Sequence, residues 1–293
     1  MRNLLSANLA RLLRGRVFWL IEAGIFTWGA IAYFLCKINT GNSYSFDNGN
    51  IYFFNEMTFI GITIACFCGF FIGTDYSDGT IRTKLAVGHS RKNIYLANLT
   101  TVFFAGIMQL VAYKLAACTV GYAFMGRKVF DTLYEPFAAI ALSLLSVCGS
   151  AAITTFLSMV IMDKPKAVLV NVLVSLFILA AGVAALKSVL QPETIKRIYE
   201  PETGQYQFVQ EIEEMEGTFL LAEDVPNPKY LTGIERKFYE CAAAVLPCAQ
   251  GLCCSLIDDE IPMLSGLHVA GTTLLVAIMT AGGIAVFRKK DIK

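Results

Sequence analysis

The amino-acid sequence predicts an all-α polytopic membrane protein with six transmembrane helices, and three observations lead to that prediction. The 293 residues are 56% hydrophobic and only 16% charged, whereas soluble proteins carry about 25% charged residues. The apolar residues are gathered into blocks long enough to cross the roughly 30 Å hydrocarbon core of a bilayer as helices. Lys and Arg are concentrated in alternate segments between these blocks. This composition excludes a disordered chain and a strongly basic nucleic-acid binder.

Residues 1–16 are predicted to form an amphipathic helix that lies at the membrane interface. The apolar stripe at helical spacing consists of Leu5, Leu9, Leu12 and Leu13. Arg11 and Arg14 are expected on the opposite face. Two interpretations remain open, a basic anchor that only sets orientation or a helix that also contacts a cytoplasmic partner.

Six apolar blocks follow this helix, and each is predicted to be a membrane-spanning helix. They are 17–36, 57–74, 99–124, 137–162, 167–186 and 267–287. Helices are expected because backbone groups in lipid need hydrogen-bond partners within the segment. Spans one to five therefore occupy 17–186, with a loop at 75–98 and a short charged turn at 163–166. The last span and a basic tail occupy 267–293.

The distribution of charge predicts that both termini are cytoplasmic. With that orientation the cytoplasmic segments hold 14 Lys and Arg side chains and a net charge of +10, while the outer segments carry −9. The opposite orientation would place the 14 cations outside, against the positive-inside rule.

The loop after the second span is patterned as a short helix followed by a turn. Asp75, Ser77 or Asp78 can cap the helix, and Gly88 is expected to end it. Ser90 can cap the next helix, which continues into the third span. The loop is either a rigid element that transmits force or a topogenic segment whose charges only set orientation.

Residues 187–266 are predicted to form a small extracytoplasmic subdomain on the outer mouth of the spans. Residues 197–200 and 205–208 are expected to pair as strands around a turn at 201–204. Residues 234–245 are expected to form a helix that stops near Pro247.

Several kinds of chemistry have no motif in this sequence. A P-loop of the form GxxxxGK[ST] is absent, so ATP is not expected to bind this chain through that motif. There is no HExxH motif, only two His residues are present, and the nine Cys do not follow zinc spacings. No cofactor or metal is expected on the chain. A disulfide between Cys248 and Cys253 or Cys254 is a hypothesis, because an oxidising outer face permits one.

Two sets of small or polar residues in the spans suggest close packing or a translocation path. The ridge of small residues in the second span is Gly61, Ala65, Gly69 and Gly73. Such ridges let helices approach closely, within one chain, at a dimer seam or along a path. Asn171 and Ser175 lie four apart on one face of the fifth span, where they either line a polar path or form an interhelical hydrogen bond.

Glu22 and Lys114 are ionisable residues within predicted spans, and such residues are costly in lipid. Helix rise places them at different depths, so the two are not expected to pair. Each either extends towards the interface or makes a structural hydrogen bond, and Glu22 is also a candidate for proton coupling.

The loop after the second span and the start of the third contain Tyr76, Gly79, Thr80, Ile81, Arg82, Lys84, Leu85, Gly88, Ser90, Arg91 and Tyr95. With these residues the segment resembles the permease subunits of bacterial ABC-type efflux systems of the second exporter class. Thr83 departs from the expected Asn at a position predicted to be exposed. A second similarity, before the last span, involves Asn227, Pro228, Tyr230, Leu246, Pro247, Gln250 and Gly251. The six-span layout is similar over essentially the whole chain.

This resemblance implies a permease of the bacterial cytoplasmic membrane that works with two copies of a separate ABC ATPase subunit. ATP and Mg would bind that partner. Two permease chains, as a homodimer or heterodimer, would form the path from their second and fifth spans. The loop would be the coupling helix that docks on the ATPase. The residues implied for coupling are Tyr76, Asp78, Gly79, Arg82, Lys84, Ser90 and Arg91.

Two other functions remain open on the sequence alone. An ion- or proton-coupled secondary transporter would depend on a gradient and not on ATP. A non-transporting membrane anchor or sensor would tolerate changes in the ridge and in the loop.

Overall fold

The computed structural model describes residues 1–40, 56–121, 123, 134–200, 205–209, 222–255 and 265–290, and most of them are helical. The helices are α1 Arg2–Arg14, α2 Arg16–Thr40, α3 Glu56–Ser77, α4 Thr80–Ala86, α5 Arg91–Ala116, α6 Tyr134–Ile161, α7 Lys164–Val189, α8 Gly233–Val245, α9 Pro247–Ser255 and α10 Gly266–Lys289. A π-helical turn, Ala117–Gly121, continues α5.

Five helices among the described residues are long and apolar enough to cross a membrane. They are Glu56–Ser77, Arg91–Val120, Phe137–Ile161, Lys164–Val189 and Gly266–Lys289. They coincide with the second to sixth blocks of the sequence and indicate a multi-pass membrane protein. The first predicted span lies within α2, which is 25 residues long but is not one of these five.

A small β-sheet lies within the segment 187–266, outside the long helices. Strands β1 Thr194–Glu200, β2 Gln205–Val209 and β3 Ala222–Pro226 form an antiparallel sheet in the order β2-β1-β3. The predicted pairing of 197–200 with 205–208 is confirmed, since Arg197 lies opposite Phe208. The third strand was not predicted, and the predicted turn at 201–204 lies outside the described residues.

Helix α3 lies between α6 and α7, and its small residues set the distance to α7. A Cβ atom on Gly69 would lie 2.7 Å from Val168 Cα, and one on Gly73 would lie 2.8 Å from Lys164 Cα. Both distances are shorter than real Cβ contacts, so the two backbones approach as closely as glycine allows.

The connection between α6 and α7 is shorter than the sequence suggests. Helix α6 ends at Ile161, Met162 adopts a left-handed φ of 58°, and Asp163 caps α7 by accepting a hydrogen bond from Lys166 N at 3.1 Å. The predicted turn at 163–166 is therefore wrong in its extent, because its last three residues form the first turn of α7. Pro165 is compatible with this position because a first-turn N–H needs no helical acceptor.

The segment after the sheet contains a short helix, α9, that the sequence analysis missed. Helix α8 ends at Val245, as predicted, and α9 then packs among α3, α6 and α7. A Cβ on Gly251 would lie 2.2 Å from Met57 Cβ, and Ser146 Oγ donates to Pro247 O at 2.7 Å. This part of the 187–266 segment is therefore inserted between the ends of the long helices.

Cys248 in α9 is a free and buried thiol. The hypothesis of a disulfide from Cys248 is therefore wrong for this structure. A Cβ on Gly61 would lie 3.3 Å from Cys248 Sγ, so the thiol serves as a small packing group against α3.

The two ends of the helical bundle differ in what covers them. Helices α1 and α4, the start of α5 and the end of α10 lie together at one end, here called the α4 end. The sheet, α8 and α9 lie at the other end, here called the sheet end.

Candidate functional site

The short helix α4 is the central feature of the α4 end. It begins after Gly79, whose φ of 70° is in the left-handed region that favours glycine. It ends at Ala86, and Gly88, with a φ of 92°, allows His89 N to donate back to Lys84 O at 3.2 Å. The predicted helix end at Gly88 is confirmed.

The cap of α4 differs from the prediction. None of the three candidate side chains caps the helix, since its N-cap is Gly79 and no side-chain cap hydrogen bond forms. The predicted cap of the next helix is confirmed, because Ser90 Oγ accepts from Asn93 N at 3.3 Å.

Asp75 connects α4 to the rest of the bundle. Its side chain is fully buried and forms ion pairs with Arg11 and with Lys84, the latter at 2.8 Å. Thr80 Oγ1 also donates to Asp75 Oδ1 at 2.5 Å. A buried carboxylate requires such partners, because an unpaired charge in a low-dielectric interior is very costly. Asp75 therefore joins α1, α3 and α4.

Hydrogen bonds extend this ion-pair cluster towards α5. Lys84 Nζ donates to Asn8 Oδ1 at 3.3 Å, and Asn8 Nδ2 donates to Asn98 Oδ1 at 2.8 Å. Asn8 and Asn98 are both buried. We call Asn8, Arg11, Asp75, Lys84 and Asn98 the hub cluster.

The buried face of α1 therefore differs from the predicted stripe. Leu4, Asn8 and Leu12 are buried, while Leu13 is 47% exposed. Arg11 does not lie on the face opposite the core, because its guanidinium binds Asp75. The difference arises because a polar side chain, Asn8, occupies the centre of the buried face, and hydropathy alone assigns it to solvent.

The residues implied for coupling separate into exposed and inward-facing groups. Asp78 and Arg82 are exposed, and so is Thr83, as predicted. Val87 is 72% exposed directly after α4, although it is a large apolar side chain. Exposed residues at 82, 83, 86 and 87 form the outer surface of α4, which we call the α4 face.

Three of the implied coupling residues face the bundle instead. Tyr76 Oη donates to Met159 O at 3.0 Å, and Lys84 belongs to the hub cluster. Arg91 Nη1 donates to Phe287 O at 2.7 Å and to Lys290 O at 2.5 Å. Arg91 therefore caps the end of α10, where carbonyl groups lack helical partners.

The small-residue ridge of α3 and the polar pair of α7 both pack within the chain. Gly69 and Gly73 contact α7, and Gly61 faces α6 and α9. Asn171 Nδ2 donates to Ser158 Oγ at 2.7 Å, and Ser175 is buried near Gly61. Ala65 in the same ridge is fully buried. Both sets of residues therefore pack between helices of this chain, which is one of the alternatives that the sequence left open. All four residues of the ridge on α3 are buried.

A stripe of buried hydroxyl groups on α6 was missed by the sequence analysis. Its members are Ser143, Ser146, Ser150, Thr154, Thr155 and Ser158, all at most 6% exposed. They recur at helical spacing on the face towards α3, α7 and α9, and this spacing was visible in the sequence. Ser158 Oγ lies 3.4 Å from Cys68 Sγ.

The two intramembrane ionisable residues have different surroundings. Lys114 Nζ lies 2.5 Å from Glu56 Oε1, and the Glu56 side chain is only 3% exposed. Glu56 lies one residue before the predicted second span, 57–74, so the sequence did not indicate this pair. Glu22 is buried, and its Oε1 has no hydrogen-bond partner among the described residues.

Glu56 also lines a cavity of about 400 Å³ between α2, α3 and α5.

Within the described part of the chain, no group of three or more His, Cys, Asp or Glu side chains is arranged to hold a metal ion. No protein-family model and no curated protein matches this chain. Its function is therefore inferred from its own residues and contacts.

Proposed function

We propose that this chain is the membrane-spanning permease subunit of an ATP-driven ABC exporter of the bacterial cytoplasmic membrane. In this proposal it forms the translocation path together with a second permease chain. ATP and Mg bind two copies of a separate ATPase subunit, which docks at the α4 end. Both termini lie in the cytoplasm, and α2 is the first of six spans.

The observation that carries the proposal is a short helix that is exposed on one side and bonded to the bundle on the other. The α4 face presents Arg82 and Val87 outwards. An exposed valine beside an arginine matches the composition of a protein contact, in which an apolar centre has a polar rim. Lys84 on the inner side of α4 binds Asp75.

The hub cluster supports a mechanical role for α4. Force applied to α4 reaches α3 through Asp75, α1 through Arg11 and α5 through Asn98. Because Lys84 on α4 pairs with the buried Asp75, α4 cannot shift alone without leaving charged groups unpaired. A docked ATPase that moves α4 would therefore move the ends of three longer helices with it.

The proposal is tested by coexpressing the affinity-tagged chain with the P-loop ATPase encoded nearest to it. We expect the wild-type chain to retain the ATPase in detergent. Arg82→Glu combined with Val87→Asp is expected to reduce the retained ATPase at least about tenfold, since it places like charge and an unpaired carboxylate in the contact. Lys289→Glu reverses an exposed charge at the end of α10 and is the matched control.

Two outcomes would contradict the proposal. One is a wild-type chain that retains no ATPase, and the other is a double variant that retains as much as the control.

Glu22 provides the observation that favours the alternative, a proton-coupled carrier, because its buried carboxyl has an oxygen without a hydrogen-bond partner among the described residues. That carrier would lose transport on collapse of the proton gradient and in Glu22→Gln, whereas ATP depletion would have no direct effect.

A further inference from the structure

A crevice of about 340 Å³ opens where α1 turns into α2, beside the end of α3 and the start of α7. It is separate from the α4 face and from the cavity that Glu56 lines. Apolar and cationic side chains both line it, which is the combination that an amphiphilic ligand requires.

The apolar side of the crevice consists of the exposed Val17 and of aromatic rings, most of which are buried behind it. Phe18 meets Phe67 edge to face, with 5.8 Å between ring centroids, and Phe67 stacks on Phe71 at 5.2 Å. Phe70 lines the crevice as well and is 38% exposed. This surface can accept a hydrocarbon chain because it offers no hydrogen-bonding group.

The cationic side carries more positive charge than the described carboxylates neutralise. Arg16 is exposed, and Lys164 Nζ lies 5.8 Å from the Phe70 ring centroid. Neither forms an ion pair within the described part of the chain. Asp163, the acidic neighbour of Lys164, caps α7 and faces Lys166 at 3.8 Å.

Arg11 completes this side of the crevice. Its guanidinium stacks over the Phe71 ring at 3.8 Å and pairs with Asp75. Its Nε is buried and has no hydrogen-bond partner among the described residues. The Asp75 charge is shared with Lys84, so the crevice region keeps a positive excess.

The level of the crevice along the bundle corresponds to the surface of a bilayer. Arg16 is the first residue of α2, and Lys164 is the first residue of the membrane-length helix α7. Trp19 is 52% exposed one turn further along α2, and its Nε1 donates to Leu13 O at 2.7 Å. Exposed Trp with flanking Lys and Arg is typical of the interface between lipid and water.

We propose that this crevice binds an anionic phospholipid. Its phosphate lies between Arg16 and Lys164, and an acyl chain covers Val17 and Phe70, which are 41% and 38% exposed. A zwitterionic lipid fits less well because its own ammonium group opposes the excess positive charge of the crevice. The proposal requires a membrane protein and does not depend on the proposed transport function.

Native mass spectrometry of the purified full-length chain tests the proposal. The protein is titrated with dioleoyl phosphatidylglycerol, with dioleoyl phosphatidylcholine and with inorganic phosphate. We expect phosphatidylglycerol to bind at least about tenfold more tightly than phosphatidylcholine, and inorganic phosphate not to compete. Arg16→Gln with Lys164→Gln is expected to weaken phosphatidylglycerol binding about 25-fold, since each interfacial cation contributes on the order of a factor of five.

Two matched variants separate this site from general surface charge. Arg14→Gln with Lys92→Gln makes the same change in net charge at exposed positions outside the crevice and is expected to weaken binding less than about twofold. Arg16→Lys with Lys164→Arg keeps the charges and is expected to retain preference for phosphatidylglycerol. Glutamine keeps the Lys164 Cβ and Cγ atoms that pack beside Gly73, so the fold is preserved.

Three results would overturn the proposal. They are equal binding of the two lipids, equal loss in the test and control double variants, and displacement of the lipid by inorganic phosphate. The last result would identify a phosphate site without a lipid component.

Discussion

The Asp75 carboxylate and the Lys84 ammonium lie 2.8 Å apart and join the end of α3 to α4. Asp75 is fully buried, and Lys84 retains only 17% of its side-chain exposure. Arg11 pairs with the same carboxylate from α1. One acidic side chain therefore pairs with cations from two other elements, and the position of α4 depends on it.

Asp75→Asn is expected to destabilise the protein by about 3 to 5 kcal/mol, because it leaves two cations facing an uncharged amide in a buried site. Thermal unfolding in detergent, followed by circular dichroism, measures the change. Asp78→Asn removes an exposed charge from the same loop and is expected to change stability by no more than about 0.5 kcal/mol. Equal losses of stability in the two variants would show that the ion pairs of Asp75 do not stabilise the hub cluster.

Lys114→Met is expected to cost about 3 kcal/mol, because Glu56 would keep a buried charge with its Lys114 partner removed. Adding Glu56→Gln to Lys114→Met is expected to recover most of the loss, since no buried charge then remains at the site. The same unfolding measurement forms a double-mutant cycle. Lys187→Met, at an exposed position of α7, is the control, and a double variant no more stable than Lys114→Met would argue against the pair.

Gly69→Ala is expected to destabilise the protein by about 1 to 3 kcal/mol, because the new Cβ would press on the Val168 backbone. Gly24→Ala is the matched control. A Cβ on Gly24 meets nothing within 4 Å, so that variant is expected to gain up to about 1 kcal/mol from helix propensity. Thermal unfolding of both proteins compares them, and a stabilised Gly69→Ala would refute the close contact of α3 with α7.

Cys248 is expected to resist labelling by maleimide at pH 8 in the folded protein. Burial raises the pKa of its thiol to about 11, so the reactive thiolate is only about one thousandth of the population at that pH. Cys241 is exposed and is expected to react readily. Variants that retain only Cys241 or only Cys248 are compared before and after denaturation in SDS. Equal labelling of the two folded proteins would contradict the burial of Cys248.

Several local features were predictable because short stretches of sequence determine them. Gly88 ends α4 since its positive φ suits a residue without Cβ, and Ser90 caps α5 since its hydroxyl reaches the first turn. The strand pairing of β1 with β2 followed from two short β-prone segments around a turn. The hub cluster was not predictable in this way, because Asp75 and Arg11 are 64 positions apart.

The sequence by itself determined that this chain contains long apolar helices suited to a membrane, because hydrocarbon-length blocks and sparse charge are properties of composition and spacing. Tertiary structure alone decided which polar residues face one another. It paired Lys114 with Glu56, turned Arg91 onto the end of α10 and inserted α9 beside α3. The physical reason is that pairing depends on distances between helices, which packing sets, and hydropathy along one helix carries no information about its neighbours.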